Sequence, residues 1–173
     1  MEKTFVLIKT DASGNQQKIK KIIKMLENIK QQIIHRKYVQ ANREMILRHY
    51  DKPKEWYVKN GQRIYVDLIK AGKPTPKTPF EYGQEIMERI IKYMTRKPMI
   101  ALILEGPDAV NLVRLFAGDT EPINARIHTI RFALSDDSYA KANRQQRALH
   151  NVIHCSETAE DVEREIAIWF PEL

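Results

Sequence analysis

The chain has 173 residues, 43% of them apolar and 29% charged, which is the balance of a globular protein long enough to bury its own core. Its single cysteine, Cys155, excludes an intramolecular disulfide and favours a reducing cytoplasm. The apolar run Phe5 to Ile8 is too short to span a membrane, and the net charge of +7 favours polyanionic partners such as nucleotides or nucleic acid.

The first quarter of the chain predicts alternating strands and helices. Residues 4–8 are predicted as a buried strand because they form a short apolar run. After Asn15, apolar residues recur at helical spacing, which predicts a basic helix over 15–33. Residues 34–40 are rich in β-forming types and predict a second strand, and the segment REMILRHY behind them predicts a short helix.

The middle of the chain contains one long segment that breaks this alternation. Residues 51–80 are interrupted by glycines and prolines and are predicted as an irregular excursion outside the core. Helical spacing resumes over 81–94, and residues 98–106 are apolar throughout, which predicts a central strand. A proline then opens a predicted helix over 107–117, with Gly118 as its stop.

The last third is predicted to be mostly loop, apart from one strand within it and a helix at the end of the chain. Within residues 118–153 we expect a strand over 128–134 and a partly helical basic segment over 138–148. Thr158 is followed three residues later by an aspartate, which resembles a capping box that opens a helix ending at about Phe170. This order of elements predicts an α/β domain with about four strands.

His154 is the one titratable residue whose neighbours indicate chemistry. The sequence has no glycine-rich phosphate loop, zinc-ligand pattern or GxSxG motif. Glu165 lies eleven residues after His154, on an apolar helix that brings it close to the core, and it could orient the imidazole for covalent catalysis. A buried core histidine remains the alternative. The other four histidines, predicted to be structural, are His35, His49, His128 and His150.

Several segments together resemble one enzyme family. NVIHCS, followed by ETAEDVEREIAIWFP, resembles the active-site segment of nucleoside diphosphate kinases, which has an N-x-x-H-[GA]-S signature before an acidic helix. Earlier stretches are similar to the family in the same order, namely TFVLIKTDA, LRHY, PMIALILEGPDAVNLVRLFAGDTEP and HTIRF. The resemblance covers nearly the whole chain and implies one domain over residues 1–173.

The resemblance implies a ferredoxin-like α/β sandwich, in which helices on one face cover a four-stranded antiparallel sheet. It also implies a homo-oligomer in the cytoplasm, a dimer-based tetramer or hexamer, with no membrane association and with nucleotides, not nucleic acid, as the main partners. Two segments are longer than in typical members and are interpreted as insertions, at about 51–80 and 136–149. Their length is similar to that in archaeal or deep-branching bacterial members.

The activity implied is transfer of the terminal phosphate of a nucleoside triphosphate to a nucleoside diphosphate, which maintains nucleotide pools. ATP, ADP and other nucleotides would react by a ping-pong mechanism through a phosphohistidine, with Mg²⁺ on the nucleotide phosphates. His154 would be the nucleophile, Glu165 would orient its ring with help from Ser156, and Lys9 would both bind phosphate and assist catalysis. The residues expected around the phosphates, sugar and base are Lys9, Tyr50, Phe80, Arg114, Thr120, Arg131 and Asn151.

The chain departs from the family pattern at three places that bear on function. Cys155 stands where a glycine or alanine is usual and adds bulk beside the nucleophile. Phe80 is the candidate for stacking on the base, although alignment along the following helix places Ile86 there. The second insertion brings basic residues that either reinforce phosphate binding or contact a neighbouring subunit, namely Lys141, Arg144 and Arg147.

Two other functions compete with the enzyme hypothesis. A catalytically weak relative with a regulatory role would bind nucleotides without exchanging phosphate. A basic nucleic-acid-binding domain would depend on the charge alone and would bind in a steeply salt-dependent way. The combined presence of His154, Glu165 and the expected phosphate ligands favours the kinase.

Overall fold

A computed structural model describes residues 1–173 and contains one four-stranded sheet in the order β2-β3-β1-β4, with every neighbouring pair antiparallel. Its strands are β1 (Glu2–Ile8), β2 (Gln32–Val39), β3 (Met99–Gly106) and β4 (Ile153–Cys155). Seven of the eight β3 residues are buried, as expected of a central strand with an apolar sequence. The predicted four-stranded antiparallel sheet is confirmed.

Eight α-helices surround this sheet, and a short 3₁₀ helix covers Pro122–Asn124. They are α1 (Gln16–Asn28), α2 (Arg43–Tyr50), α3 (Lys54–Lys70), α4 (Pro79–Met94), α5 (Ala109–Ala117), α6 (Ile130–Leu134), α7 (Tyr139–Arg144) and α8 (Ala159–Trp169). At α8 the side chain of Thr158 accepts the backbone N–H of Asp161, which is one half of the predicted capping box, and at α1 the side chain of Asn15 accepts two backbone N–H groups. None of these helices combines the length and apolar character that crossing a membrane requires.

Helices cover both faces of the sheet, whereas the resemblance implied one. Phe5 and Leu7 of β1 point into a cluster built with α2, α4 and α8. Val6 and Ile8 point the opposite way, into a cluster built with α1, α5 and α6. Because successive residues of a strand alternate between faces, the unbroken apolar run of β1 requires a helical layer on each side.

The prediction that residues 51–80 are irregular is wrong for most of that segment. Residues Lys54–Lys70 form α3, which packs along α4. The glycine at position 61 is a contact point and not a helix break, since a Cβ there would lie 1.8 Å from the backbone oxygen of Pro79. A Cβ at Gly83 of α4 would lie 2.1 Å from the backbone oxygen of Tyr57 on α3, so the two glycines let the helices touch.

Two further predictions need correction. The helix predicted over 15–33 ends at Asn28, and its last apolar residue, Ile33, pairs with Leu104 in the sheet. The strand predicted over 128–134 is the short helix α6, and its Arg131 side chain donates to the backbone oxygen of Ile153 on the edge strand. The Arg131 side chain therefore bonds the free edge of β4, where the predicted strand would have paired with it. The partial helix predicted over 138–148 is present as α7.

Candidate active site

A cavity of about 690 Å³ lies beside the edge strand β4, between helices of both layers. Eight basic and four acidic side chains line it, so the cavity suits an anionic ligand. Of the residues predicted for the site, those that line it are Lys9, Tyr50, Arg114, Thr120, Arg131, Asn151, His154 and Glu165. Ser156 does not line the cavity, but its hydroxyl donates to the carboxylate of Glu165. Phe80 does not line the cavity.

Glu165 forms a hydrogen bond with the imidazole of His154, as the sequence suggested it could. Nε2 of His154 lies 2.7 Å from Oε1 of Glu165, and the hydroxyl of Ser156 donates to the other carboxylate oxygen at 2.6 Å. Glu165 is 2% exposed and is aimed at the ring from α8, because the Thr158 cap fixes where that helix begins. The acceptor at Nε2 assigns the ring proton to that nitrogen, so Nδ1 keeps its lone pair.

The environment of His154 keeps the imidazole neutral. Burial lowers its pKa well below the usual value, and the positive charges of Lys9 and Arg131 lower it further. Nδ1 makes no hydrogen bond within the protein and is not among the enclosed unpaired atoms, so it is accessible from the cavity. A neutral imidazole with one nitrogen held and the other open is the form in which histidine acts as a nucleophile.

His49 is a member of this cluster that was predicted to be only structural. Its ring centroid lies 4.4 Å from that of His154, and its Nδ1 accepts a hydrogen bond from the indole of Trp169 at 3.2 Å. Burial lowers its pKa well below the usual value, so the positive charge expected at this helix end is absent. The histidine–tyrosine pair at the end of α2 was the signal for this position, but sequence spacing could not place its ring against His154.

Lys9 and Asn151 form a second hydrogen-bonded group beside the nucleophile. The ammonium of Lys9 donates to Oδ1 of Asn151 at 2.8 Å, and Nδ2 of Asn151 donates to the backbone oxygen of Thr120 at 2.9 Å. Lys9 is 7% exposed, and burial together with Arg131 lowers its pKa to about 8. The first-strand lysine, the arginine–threonine segment and the catalytic segment of the sequence therefore meet at one place.

Two arginines enter the cavity from different helices. Arg131 of α6 is buried and donates to the backbone oxygens of Gly118 and Ile153, which fixes its guanidinium. Arg114 of α5 is exposed and makes one hydrogen bond, at 3.0 Å to the backbone oxygen of Glu157. Arg131 thus offers a rigid charge, whereas Arg114 keeps most of its donors available to a ligand.

Tyr50 and one of the two candidates for base contact line the cavity, and the other candidate does not. The hydroxyl of Tyr50 is 3.4 Å from the sulfur of Met94, and burial raises the pKa of this phenol. Phe80, the favoured stacking residue, instead packs on Tyr57, with ring centroids 5.7 Å apart, because it lies in the first turn of α4 against α3. Ile86, the alternative, does line the cavity.

Cys155 does not crowd the nucleophile from the same side of the strand. It belongs to the core cluster on the opposite face of β4 from His154, and it is 8% exposed. Burial raises the pKa of its thiol, which keeps it protonated and unreactive. The departure from glycine or alanine is therefore accommodated by the core.

The basic residues of the second insertion have different surroundings. Arg147 makes two hydrogen bonds to the carboxylate of Asp137, at 2.5 and 2.8 Å, so its charge is used within the insertion. Asp137 also accepts the backbone N–H of His150, which ties the insertion to the segment before β4. Lys141 lies 3.6 Å from the exposed carboxylate of Asp136, and Arg144 is exposed and away from the cavity.

A metal ion is not required to explain the histidine cluster. The ligand atoms of His49, His154 and Glu165 lie within 4.8 Å of one another, which would allow them to hold a cation. However, Glu165 already accepts hydrogen bonds from His154 and Ser156, and Trp169 donates to Nδ1 of His49. Hydrogen bonds within the protein therefore account for the cluster except at Nε2 of His49, which is buried without a partner.

Comparison with known proteins assigns this chain to a family. The family model for nucleoside diphosphate kinase matches residues 80–173. The nucleoside diphosphate kinase of Pyrobaculum aerophilum is 34% identical over 177 residues, covering 99% of this chain and 96% of that protein. That of Methanocaldococcus jannaschii is 32% identical, covering 99% of this chain and 94% of that protein. The chain belongs to the nucleoside diphosphate kinase family.

Solved structures of the nucleoside diphosphate kinase family share the fold over nearly all of the chain. The crystal structure of the NDP kinase from Pyrobaculum aerophilum matches with a TM-score of 0.87 and 33% identity, covering 98% of this chain and 95% of that one. A transition state mimic of the nucleoside diphosphate kinase from Borrelia burgdorferi, with bound vanadate and ADP, matches with a TM-score of 0.75 and 25% identity. It covers 98% of this chain and 86% of that one.

Proposed function

We propose that this chain transfers the terminal phosphate of a nucleoside triphosphate to a nucleoside diphosphate, with His154 as the carrier. The observation that supports this most strongly is the state of His154. Its Nε2 is bound to a buried carboxylate, and its Nδ1 is open to a basic cavity. Membership of the nucleoside diphosphate kinase family supports the same reaction.

The reaction proceeds in two half-reactions at one site. Nδ1 of His154 attacks the terminal phosphorus of the donor, the bond from that phosphorus to the bridging oxygen breaks, and the nucleoside diphosphate leaves with the bond electrons. The Nε2–H stays on the ring, and Glu165 stabilises the positive charge that the imidazole gains on phosphorylation. In the second half-reaction a terminal oxygen of another nucleoside diphosphate attacks the phosphohistidine, which regenerates neutral His154.

The residues around His154 supply positioning and charge stabilisation, which are what phosphoryl transfer chiefly needs. Lys9 and Arg131 lie close enough to the imidazole to lower its pKa, so they also lie close to a phosphoryl group on Nδ1. Arg114 offers the donors that Glu157 leaves free. The remaining assignments are Tyr50 and Thr120 as hydroxyl donors to phosphate, Asn151 as a sugar contact, and Ser156 as support for Glu165.

Mg²⁺ is proposed as the cofactor, held mainly by the nucleotide phosphates. The cavity is too rich in basic groups to form an all-protein magnesium site, but the carboxylates of Asp119 and Glu157 line it and can receive the water shell of a phosphate-bound ion. Such an ion neutralises phosphate charge when it is bound.

Residues 1–173 are proposed to act as a single domain in a cytoplasmic homo-oligomer, a dimer-based tetramer or hexamer. The sheet clusters on both faces use residues from the start and the end of the chain, which supports one folding unit. The edge strand β2 carries exposed positions, including Tyr38 at 55%, and would be available to a second copy.

Initial-rate kinetics test whether the donor and the acceptor nucleotide bind in turn to the same site. With ATP as donor and a second nucleoside diphosphate as acceptor, double-reciprocal plots at several acceptor concentrations should be parallel, because the first product leaves before the acceptor binds. Intersecting lines would indicate a ternary complex and would contradict the carrier role of His154. His154→Ala should show no exchange while it still binds ADP.

A further inference from the structure

Two helices from the longer segments of the chain meet across the cavity. Arg63 of α3 and Tyr139 of α7 both line it, and the guanidinium carbon of Arg63 lies 5.7 Å from the centre of the Tyr139 ring. This distance is within the range of a cation–π contact. Neither residue was singled out from the sequence. Arg63 falls in the segment that was predicted to be irregular, and Tyr139 falls in the second insertion.

Arg63 differs from three other arginines of the cavity in having no carboxylate partner, and it differs from Arg114 and Arg131 in that its side chain donates to no backbone oxygen either. Arg89 lies 3.8 Å from Glu85, and Arg147 and Arg164 are each within 2.6 Å of an aspartate. Arg63 takes part in no ion pair and in no hydrogen bond of the protein, although it lines a cavity with four acidic side chains. Its donors are therefore available to a ligand.

The Tyr139 side of this contact is held firmly. The backbone N–H of Tyr139 donates to Oε1 of Glu121 at 2.7 Å, and Ser138 caps the helix by accepting the N–H of Lys141. Behind the helix, the ion pair of Asp137 with Arg147 anchors the segment. These contacts fix the backbone that carries the Tyr139 ring, whereas the long side chain of Arg63 is free to reorient against it.

The contact lies at the same part of the cavity as the buried Arg131. Burial raises the pKa of Tyr139, and the charges of Arg63 and Arg131 both oppose that rise, so the two guanidinium groups lie near one phenol. Arg131 in turn lies near Lys9 and His154, whose pKa values it lowers. Arg63 therefore extends a line of positive groups from the nucleophile to the outer part of the cavity.

We infer that Arg63 is a further nucleotide-binding residue, which contacts the phosphates of the bound nucleotide and is positioned by the ring of Tyr139. This inference rests on the proposed function, because it takes a nucleoside diphosphate or triphosphate as the ligand. A guanidinium without an acidic partner suits a phosphate group, and the binding would join α3 to α7 over the ligand.

Equilibrium binding of ADP and of adenosine to the full chain separates a phosphate contact from a contact to base or sugar. In Arg63→Gln the affinity for ADP should fall about tenfold, the loss expected for one charge-assisted hydrogen bond, while that for adenosine should not change. Lys59→Gln is the matched control, because Lys59 is exposed on the same helix and does not line the cavity. It should leave both affinities unchanged.

Substitutions at Tyr139 test the platform. Tyr139→Phe keeps the ring and should retain most of the ADP affinity, whereas Tyr139→Leu removes the π face and should reproduce part of the loss seen in Arg63→Gln. In the double variant the losses should not add, since both act through one guanidinium.

The outcomes that would overturn the inference are distinct from failure of the proposed function. Unchanged ADP affinity in Arg63→Gln, or an equal fall for ADP and adenosine, would exclude a phosphate contact. Absence of phosphohistidine in the wild-type protein, with ADP still bound in an Arg63-dependent way, would contradict the kinase but not this contact.

Discussion

The reactivity proposed for His154 comes from three neighbours that act on it differently. Glu165 holds one ring nitrogen, Lys9 and Arg131 disfavour the protonated ring, and burial does so most strongly. Sequence spacing only made the first of these possible, because a carboxylate on an apolar helix face is rare unless it has a partner, and the resemblance to the family favoured it over a buried core histidine. The effect of Lys9 could not be predicted from residues alone, since it lies 145 positions away and meets the histidine only through the pairing of β1 with β4.

Glu165→Gln should slow phosphorylation without weakening nucleotide binding. The amide keeps the shape of the side chain but cannot stabilise the positive imidazole with a full charge, so the rate of phosphohistidine formation should fall roughly 10- to 100-fold. Single-turnover labelling with γ-labelled ATP measures that rate, and ADP titration measures binding. A large loss of ADP affinity with an unchanged rate would mean that Glu165 contacts the nucleotide.

The pH profile of kcat/KM should be set by two lowered pKa values. His154 must be neutral to attack, and because its pKa is lowered, activity should persist below pH 6.5 and fall only at still lower pH. Lys9 must be charged to attract phosphate, and its pKa of about 8 means that kcat/KM should fall as the pH rises through this value.

Lys9→Arg is the matched test of the alkaline limb, because arginine stays protonated throughout this range. Whatever its absolute activity, its profile should no longer fall near pH 8. An alkaline limb that persists unchanged in this variant would assign it to another group.

At the scale of elements, α3 shows where sequence reasoning failed and why. Glycine and proline were interpreted as breaks, but Pro53 immediately precedes α3 and the other prolines lie between α3 and α4 or in the first turn of α4. Gly61 is where the two helix backbones touch. Nothing in the local sequence distinguishes a glycine at a helix contact from one in a loop. The same applies to α6, whose apolar residues suit a strand but whose arginine occupies the edge of β4.

Gly61→Ala should destabilise the protein and weaken ADP binding together. The new methyl group would lie 1.8 Å from the backbone oxygen of Pro79, so α3 must move from α4, at a cost of about 1–3 kcal/mol in the free energy of unfolding. Gly14→Ala is the control, because its nearest neighbour is the flexible end of Lys97 at 3.1 Å. Urea denaturation measures the stability of both variants and ADP titration measures their binding. An unchanged denaturation midpoint for Gly61→Ala would contradict the close packing of α3 on α4.

At the scale of the molecule, the order of motifs predicted more than any single motif. Residues matched to the family fall on β1, α2, α5, α6 and β4, and the antiparallel order β2-β3-β1-β4 brings them to one edge of the sheet. Composition and periodicity predicted the first three strands, since an apolar β3 must be central, but they placed the fourth at 128–134, where α6 lies. They could not predict how α3 and α7 cover the cavity, because long segments between elements are placed by tertiary contacts.

The central claim is that His154 carries the phosphate between two nucleotides. The most direct measurement is to label the protein with γ-labelled ATP, remove the nucleotide and add unlabelled ADP. We expect a label that is acid-labile and alkali-stable, that moves quantitatively to ADP, and that is absent in His154→Ala. A label that persists in His154→Ala, or one that ADP cannot remove, would contradict this account.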